Sequence, residues 1–214
     1  MNVVIIPVYN PGDEFYDFVL LIKNYISNII IVDDGSENSI SFHIKDVTIL
    51  KNKKNRGKGY SLNKGFKFAF DSKFSYAITI DGDGQHDPHE LIHFLQHDNP
   101  VDILIGRRSF SSPMPMHRQF SNYITSFILS LRTSKLILDS QCGYRKYNLS
   151  TLNKFNFVES GFHFESEVLI KLLSNGGKLD HIDVSTIYNG SKSYIRKLDD
   201  SFKFIVLFFR SLFW

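Results

Sequence analysis

The chain has 214 residues, 43% hydrophobic and 22% charged, enough for one sizeable α/β domain with a short appendage and too few for two full domains. Its formal net charge of +3 is too small to argue for nucleic acid, and a single cysteine, Cys142, excludes an internal disulfide framework and fits a reducing compartment. The charges are unevenly spread: residues 51–70 hold seven basic side chains and no acid, whereas residues 81–102 hold six acids and neither Lys nor Arg.

Val3 to Val8 is an apolar, β-branched run that predicts a buried strand, and no signal peptide precedes it, so a cytoplasmic protein is expected. Tyr9, Asn10, Pro11 and Gly12 predict a turn. Asp13 is then placed to cap a helix whose apolar positions (Phe15, Phe18, Val19, Ile22, Tyr25, Ile26) recur at helical spacing, with Asn28 at its end. A second strand, Ile29 to Val32, runs into Asp33, Asp34, Gly35 and Ser36 and so sets acids at a strand's C-terminal end. After a short strand at Val47–Leu50 comes the basic stretch, in which Gly57 and Gly59 flank Lys58 just before a helix predicted over Tyr60–Phe70. There a pliable backbone and a cation meet at a positive helix end, which suits phosphate. No Walker loop is present and no G-x-G-x-x-G follows a strand, so nucleotide hydrolysis of that type and dinucleotide binding are excluded.

The stretch Y-A-I-T-I-D-G-D-G-Q-H-D-P (Tyr76 to Pro88) combines a strand with an abrupt acidic turn. Asp81 and Asp83, with the amide oxygen of Gln85 two residues on, can share a hard divalent cation at the strand end where open α/β sheets bind ligands. A calcium loop starting at Asp81 fails, because His86 and Ile92 stand where Gly and Glu are required. An aspartyl-nucleophile phosphatase, with Asp81 attacking phosphate, stays open. Asp87 as cap, Pro88 and Glu90 start a helix on which His89, His93 and His97 form a stripe, expected to face solvent and not a transition metal. Val101–Ile105 is the next strand and ends in Gly106, Arg107 and Arg108. An irregular segment with Pro113 and Pro115 leads to a surface-seeking helix over His117–Leu131, with Phe120, Tyr123, Ile124, Phe127, Ile128 and Leu131 on one side. Phe202 to Trp214 is aromatic, flanked by basic residues and 13 residues long, short of the roughly 20 of a span, so it predicts an interfacial helix near anionic lipid.

V-V-I-I-P-V-Y-N, V-D-D-G-S, N-R-G-K-G-Y-S-L-N-K-G, D-G-D-G-Q-H-D-P, I-G-R-R, D-S-Q-C-G-Y-R and F-E-S-E-V-L occur in the order seen in family-two glycosyltransferases. From Val3 to about Lys203 the chain resembles dolichyl-phosphate and polyprenyl-phosphate hexosyl synthases. The resemblance implies the GT-A fold, a Rossmann-like α/β domain over 1–190 with a mostly parallel central sheet, and a basic, aromatic, membrane-interfacial tail with an amphipathic helix over 191–214. It implies that Pro7, Tyr9, Asn10, Asp33 and Asp34 cradle the base and ribose of a nucleotide-sugar, with Lys58 and Asp81 on the diphosphate side. Asp81, Asp83 and Gln85 would bind Mg²⁺ or Mn²⁺, and Arg107, Arg108, Arg118, Ser121 and Lys192 would hold the acceptor phosphate. Asp83, Arg107, Arg118 and Glu165 are the residues to which it gives catalytic roles. The Arg that often precedes G-x-S-K is missing near Gly190, Ser191 and Lys192, where Tyr188 stands; with Asp139, Gln141, Cys142, Gly143 and Phe164 to Leu169, this resembles the glucosyl-phosphate branch more than the mannosyl one.

The expected activity is metal-dependent, inverting transfer of a hexose from a UDP-glucose- or GDP-mannose-class donor to a polyprenyl or dolichyl phosphate, in cell-envelope glycan synthesis at the inner face of the membrane. A phosphate nucleophile carries close to two negative charges near neutrality, since its second pKa is about 6, and needs cations but no base. A saccharide hydroxyl acceptor would need a base, for which Glu165 and Glu167 are the candidates. The phosphatase reading lacks a suitable downstream acidic pair, since only Asp199 and Asp200 qualify by position, and a non-catalytic nucleotide-sugar binding module would not explain the D-x-D-x-Q with its arginines.

Overall fold

The computed structural model describes residues 1–38, 40–108, 116–185, 187 and 197–214, and of 117 and 197–201 the backbone alone. The described strands are β1 (Asn2–Val8), β2 (Ile29–Asp33), β3 (Val47–Lys51), β4 (Tyr76–Thr79), β5 (Ile103–Arg108), β6 (Arg145–Asn148) and β7 (Leu179–Val184). The described helices are α1 (Phe15–Lys23), α2 (Lys58–Asp71), α3 (Leu91–Gln96), α4 (Met116–Thr133), α5 (Leu149–Leu152), α6 (Phe164–Ser174) and α7 (Lys197–Ser211). The strands form one sheet in the order β3-β2-β1-β4-β6-β5-β7, parallel except where β6 pairs antiparallel to β4 and β5.

Strands covered on both faces must be apolar throughout. Val3, Val4, Ile5, Ile6, Ile31, Val32, Ala77, Ile78 and Ile103 to Ile105 are accordingly inaccessible to solvent. Leu62, Phe66 and Ala69 of α2 add to this core, and Gly65 lets α2 approach so closely that a Cβ there would lie 2.7 Å from Ile5 Cγ2. The register Val8↔Asp33 and Ile5↔Thr79 brings the ends of β2, β1 and β4 side by side. The chain leaves β1 to one side for β2 and β3 and returns on the other for β4, the kind of switch point at which open α/β sheets bind ligands.

Strand β6 has no counterpart among the elements expected from sequence, because R-K-Y-N has no apolar pattern. It is buried nonetheless: Arg145 donates from Nε to Cys142 O (2.7 Å), and from its terminal nitrogens to Ser140 O (2.7 Å) and Glu165 O (3.4 Å), while Lys146 Nζ donates to Phe94 O (2.8 Å). Backbone carbonyls thus satisfy charges that would otherwise bar the strand from a core. Helix α1 starts after Glu14, not at a cap on Asp13, and ends at Lys23 rather than Asn28, whose carbonyl accepts the Val4 N–H at the sheet. Asp87 does cap, taking the His89 N–H at 2.9 Å, but the turn it starts, Pro88–Glu90, is 3₁₀ before α3 begins. Glu90 reaches across to the Ser185 N–H (2.7 Å) instead of back to its cap. The three histidines do not converge, since His89 meets Tyr25 and His97, beyond the end of α3, meets Asp180 at 3.1 Å.

Helix α4 is built inside out. Asn122, Ser126, Leu129 and Thr133 face the protein, whereas Phe120, Tyr123, Ile124, Phe127 and Leu131 face solvent. Helix α7 docks by Leu207 and Ser211, its end held by Arg132 on Ser211, by Arg210 on Glu159 (2.6 Å) and by Trp214 over Lys171, and it leaves Phe202, Ile205, Phe209 and Phe213 exposed. No described helix is long and apolar enough to cross a membrane.

The F-E-S-E segment divides its work between two walls. Glu167, fully buried, accepts the N–H groups of Val158 (3.0 Å) and Glu159 (2.8 Å) and pairs with Lys171 (2.8 Å), so it ties the loop before α6 to that helix. Glu167→Ala leaves those donors buried and unpartnered and is expected to lower the unfolding free energy by about 3 kcal/mol, read from urea denaturation.

Candidate active site

Asp34 shapes the site from the end of β2. It is 4% exposed, and its carboxylate accepts from Asn52 Nδ2 (2.8 Å), Arg56 N (3.0 Å) and Gly57 N (2.7 Å). That carboxylate satisfies amides at the N-terminus of α2 as a capping side chain does. Gly57 has φ +96°, a Cβ there would lie 2.5 Å from Ser160 O, and at Gly59 a Cβ would lie 2.4 Å from the Phe164 Cβ. The Tyr60 N–H donates to Ser160 O at 3.0 Å. Helix α2 is thus set directly against the loop that Glu167 ties down.

This packing aims Lys58, the first residue of α2, at two carboxylates. Its ammonium lies 2.7 Å from Asp81 Oδ1 and 3.3 Å from Glu165 Oε2. Burial pulls the Lys58 pKa down, but Asp81 and Glu165 more than offset it, and the ammonium is held above its ordinary range. Burial likewise acts to raise Asp81, yet Lys58 and then His86 hold its carboxyl well below the carboxylate range. His86, itself buried, stands with Nε2 3.9 Å from Asp81 Oδ2 and its ring against Tyr144. Gly143 closes the far side: a Cβ there would lie 2.4 Å from Asp81 Oδ2 and 2.9 Å from Lys58 Nζ. Thr79 Oγ1 donates to Gly143 O at 2.7 Å and fixes that approach.

Asp83 differs from Asp81. Its side chain opens to solvent, takes the Gln85 N–H at 3.0 Å and, among the described residues, has no salt-bridge partner. Desolvation on its protein side and the neighbouring Asp81 carboxylate push its pKa up. An uncompensated carboxylate beside a paired one, with an amide side chain two residues on, is a donor set that fits a hard divalent ion such as Mg²⁺ or Mn²⁺.

Asp33 and Asn10 join the ends of β2 and β1. Asp33, 1% exposed, takes the Ser36 N–H (2.8 Å), and Ser36 Oγ takes the Asn10 N–H (2.9 Å). Asn10 Oδ1 takes the Glu37 N–H (2.9 Å). Pro7 lies within β1 opposite Val32, and Tyr9 is half-buried just past its end. Beside them a cleft of about 450 Å³ opens, with Asn10, Phe15 and Tyr16 on one side and Glu37, Ile40 and Phe42 on the other.

The two arginines of I-G-R-R cannot act from one side, because neighbours on a strand point to opposite faces. Arg107, partly exposed, is bidentate on Asp183 of the edge strand β7, and so is turned away from the side that Arg108 serves. Arg108 is bidentate on Asp139 (2.8 and 2.9 Å). Asp139 is inaccessible to solvent and also accepts from Asn122 Nδ2 (2.8 Å) and Gln141 N (3.1 Å), so one carboxylate joins Arg108 to the polar face of α4. Arg118, half-buried, and Ser121, near Gln141 Nε2 at 3.4 Å, lie early on that helix. Lys192 lies outside the described residues. Sequence reasoning does not reach Asp139 as anchor, Glu165 as partner of Lys58 or His86 behind Asp81. D-S-Q-C-G-Y-R marks the first region as a motif, but nothing in its spacing names a partner. Cys142 is buried, and burial pushes its thiol up to about 12, away from nucleophilic chemistry.

Fold and site together define an α/β enzyme whose polar cluster lies at the switch point of a mostly parallel sheet. Residues 3–157 match the family model described as Glycosyl transferase family 2, and the chain belongs to that family and is a glycosyltransferase. Its sequence is 31% identical over 211 residues to an uncharacterized protein of Methanocaldococcus jannaschii, covering 90% of this chain and 91% of the other. It is 28% identical over 214 residues to the UDP-N-acetylglucosamine–dolichyl-phosphate N-acetylglucosaminyltransferase of Methanococcus voltae, covering 86% and 85%. In three dimensions it resembles glucosyl-3-phosphoglycerate synthase from Mycobacterium tuberculosis in complex with Mg²⁺ and UDP, with TM-score 0.72, 14% identity and coverage of 99% of this chain and 79% of that one, which shows the GT-A fold. Membership of this family sets aside the aspartyl phosphatase and the non-catalytic binding module.

The Arg108–Asp139 pair should give a distinct pH signature. Burial acts to raise the Asp139 pKa, but Arg108 and then Asn122 hold it below its ordinary 3.8, so its contribution to stability is complete above that value and lost as pH falls through the lower folded value. Relative to Asp139→Asn, the wild type should be more stable by about 2 kcal/mol from neutral pH down to about pH 5, and the difference should shrink below about pH 4. Urea unfolding of both proteins across that range measures it.

Proposed function

We propose that this glycosyltransferase moves a hexose from a nucleotide-sugar of the UDP-glucose or GDP-mannose class to a polyprenyl phosphate at the cytoplasmic face of a membrane, with inversion at the sugar carbon. The observation that carries the reading is the reversed polarity of α4: its polar side is spent on Asp139 and its neighbours while its aromatic side faces outward, directly after the arginine-bearing end of β5. A helix of that kind needs an apolar phase outside the protein, and a lipid acceptor brings one. The relative that acts on dolichyl phosphate supports the same acceptor class.

In this reading Pro7, Tyr9, Asn10 and Asp33 meet the base and ribose, Asp34 holds the loop that aims α2, and Lys58 meets the diphosphate. Asp81, Asp83 and Gln85 would hold Mg²⁺ or Mn²⁺, which supplies Lewis-acid neutralisation of the leaving diphosphate. Arg108, Arg118 and Ser121 receive the acceptor phosphate, with Lys192 from the segment after β7. For Arg107 to join them it would have to leave Asp183. A phosphate nucleophile needs no general base, and Glu165, the base that a hydroxyl acceptor would require, is turned onto Lys58 with both oxygens within 3.4 Å. Residues 1–190 form the catalytic domain in this scheme, and 191–214 the interfacial tail, with the exposed stripe of α7 beside that of α4 in the lipid interface and the basic residues at its ends near anionic headgroups.

Two measurements test this. Asp83→Ala is expected to lower transfer at least about 100-fold without lowering the melting temperature, since the side chain opens to solvent; full activity of the wild type in a chelator overturns the metal assignment. For the acceptor, a panel of UDP- and GDP-sugars, including UDP-N-acetylglucosamine, is offered with a long polyprenyl phosphate in liposomes, a short soluble prenyl phosphate or a saccharide. Arg118→Ala should raise the KM of both phosphates at least about tenfold and leave that of the donor within about twofold, and Phe127→Asp should impair only the liposomal reaction. Transfer to the saccharide alone overturns the lipid assignment.

A further inference from the structure

Lys58 occupies a position that a cation should avoid. It is the first residue of α2, where the helix dipole is positive, and its side chain is only 16% accessible. Asp81 and Glu165 offset both costs. Asp81, however, is one of the two carboxylates on which a divalent ion would depend, and its Oδ1 is already taken at 2.7 Å. Gly143 leaves no room for the pair to shift sideways, since even a methyl group there would lie 2.9 Å from Lys58 Nζ. With Asp81 engaged, the loop offers an incoming ion one uncompensated carboxylate, Asp83. A small hard cation held by one carboxylate keeps most of its water and binds weakly unless phosphate oxygens complete its shell.

We propose that Lys58 is the resident counter-ion of the D-x-D loop: its ammonium holds Asp81 in place of a divalent ion and yields only when a nucleotide diphosphate offers it another anion, so that metal entry depends on nucleotide. The inference rests on the donor reading given above and deepens it. Glu165, 3.3 Å away and 9% accessible, keeps hold of the ammonium during the exchange, so Lys58 turns from one oxygen to another without leaving the site. Asp81 is freed to face the ion in the same movement, and no charge is left buried and unpaired.

The test is a titration of MnCl₂ followed by electron paramagnetic resonance of the free ion, on wild type and Lys58→Met, first alone and then with UDP or GDP. Wild type should bind Mn²⁺ weakly alone and about tenfold or more tightly with nucleotide. Lys58→Met should bind Mn²⁺ alone about tenfold more tightly than wild type and gain less from nucleotide. Equal Mn²⁺ affinity of the two proteins without nucleotide overturns the inference and leaves the donor reading intact. Wild-type Mn²⁺ binding that neither UDP nor GDP strengthens overturns both. A measurement that needs no variant guards against a misfolded Lys58→Met: the lysine ζ-nitrogen resonance of Lys58 in wild type should stay in place with MgCl₂ alone and move when UDP or GDP is added. Its full displacement by MgCl₂ alone overturns the inference.

Discussion

A buried ammonium at the positive end of a helix is the constraint on which the rest of the site depends. Lys58 can remain there only if carboxylates reach it from elsewhere, and they come from the end of β4 and from the first turn of α6. To bring them within reach, α2 must lie against the loop before α6, which demands Gly57 with its φ of +96° and Gly59 where no Cβ fits. The loop in turn must be held, and Glu167 and Lys171 hold it. The catalytic face and the packing behind it are therefore one structure, and a change in either moves Lys58.

A second polar hub lies at the end of β5. Asp139 collects Arg108, Asn122 and the Gln141 amide on one carboxylate, and that collection spends the polar face of α4 inward. An amphipathic helix in a globular domain ordinarily buries its apolar face. Here the hydrogen bonds of Asn122 to Asp139 and of Ser126 to Ser140, with Leu129 as the apolar anchor, attach the helix, and the aromatic stripe is left for the outside. The C-terminal helix α7 is tied to the end of α4 through Arg132 and Ser211 and carries a stripe of its own, so both helices leave apolar side chains exposed.

Much of the fold is legible in the amino-acid sequence alone. The runs at Val3–Val8, Ile29–Val32, Ala77–Ile80 and Val101–Ile105 are continuous and β-branched because their strands are covered on both faces, and such runs declare themselves. The D-x-D loop, the acids after β2 and the lysine before α2 are also legible, because glycine and charge clustering at strand and helix ends follows from local geometry. Strand β6 is not: its Arg145 and Lys146 violate every apolar pattern and are tolerated only because carbonyls of Ser140, Cys142 and Phe94 surround them. Nor does the sequence separate Arg107 from Arg108 by face, since their partners Asp183 and Asp139 come from later, unrelated elements.

By itself, then, the sequence determined which stretches are buried strands, where acids and a cation gather, and through the order of its motifs the family. Tertiary structure decided which charges meet. Lys58 and Glu165 stand 107 residues apart in the chain, and no periodicity or spacing relates them. Apolar burial is read locally because it needs only a face to point inward, whereas a buried charge needs a particular partner at about 3 Å, and only the folded chain supplies one.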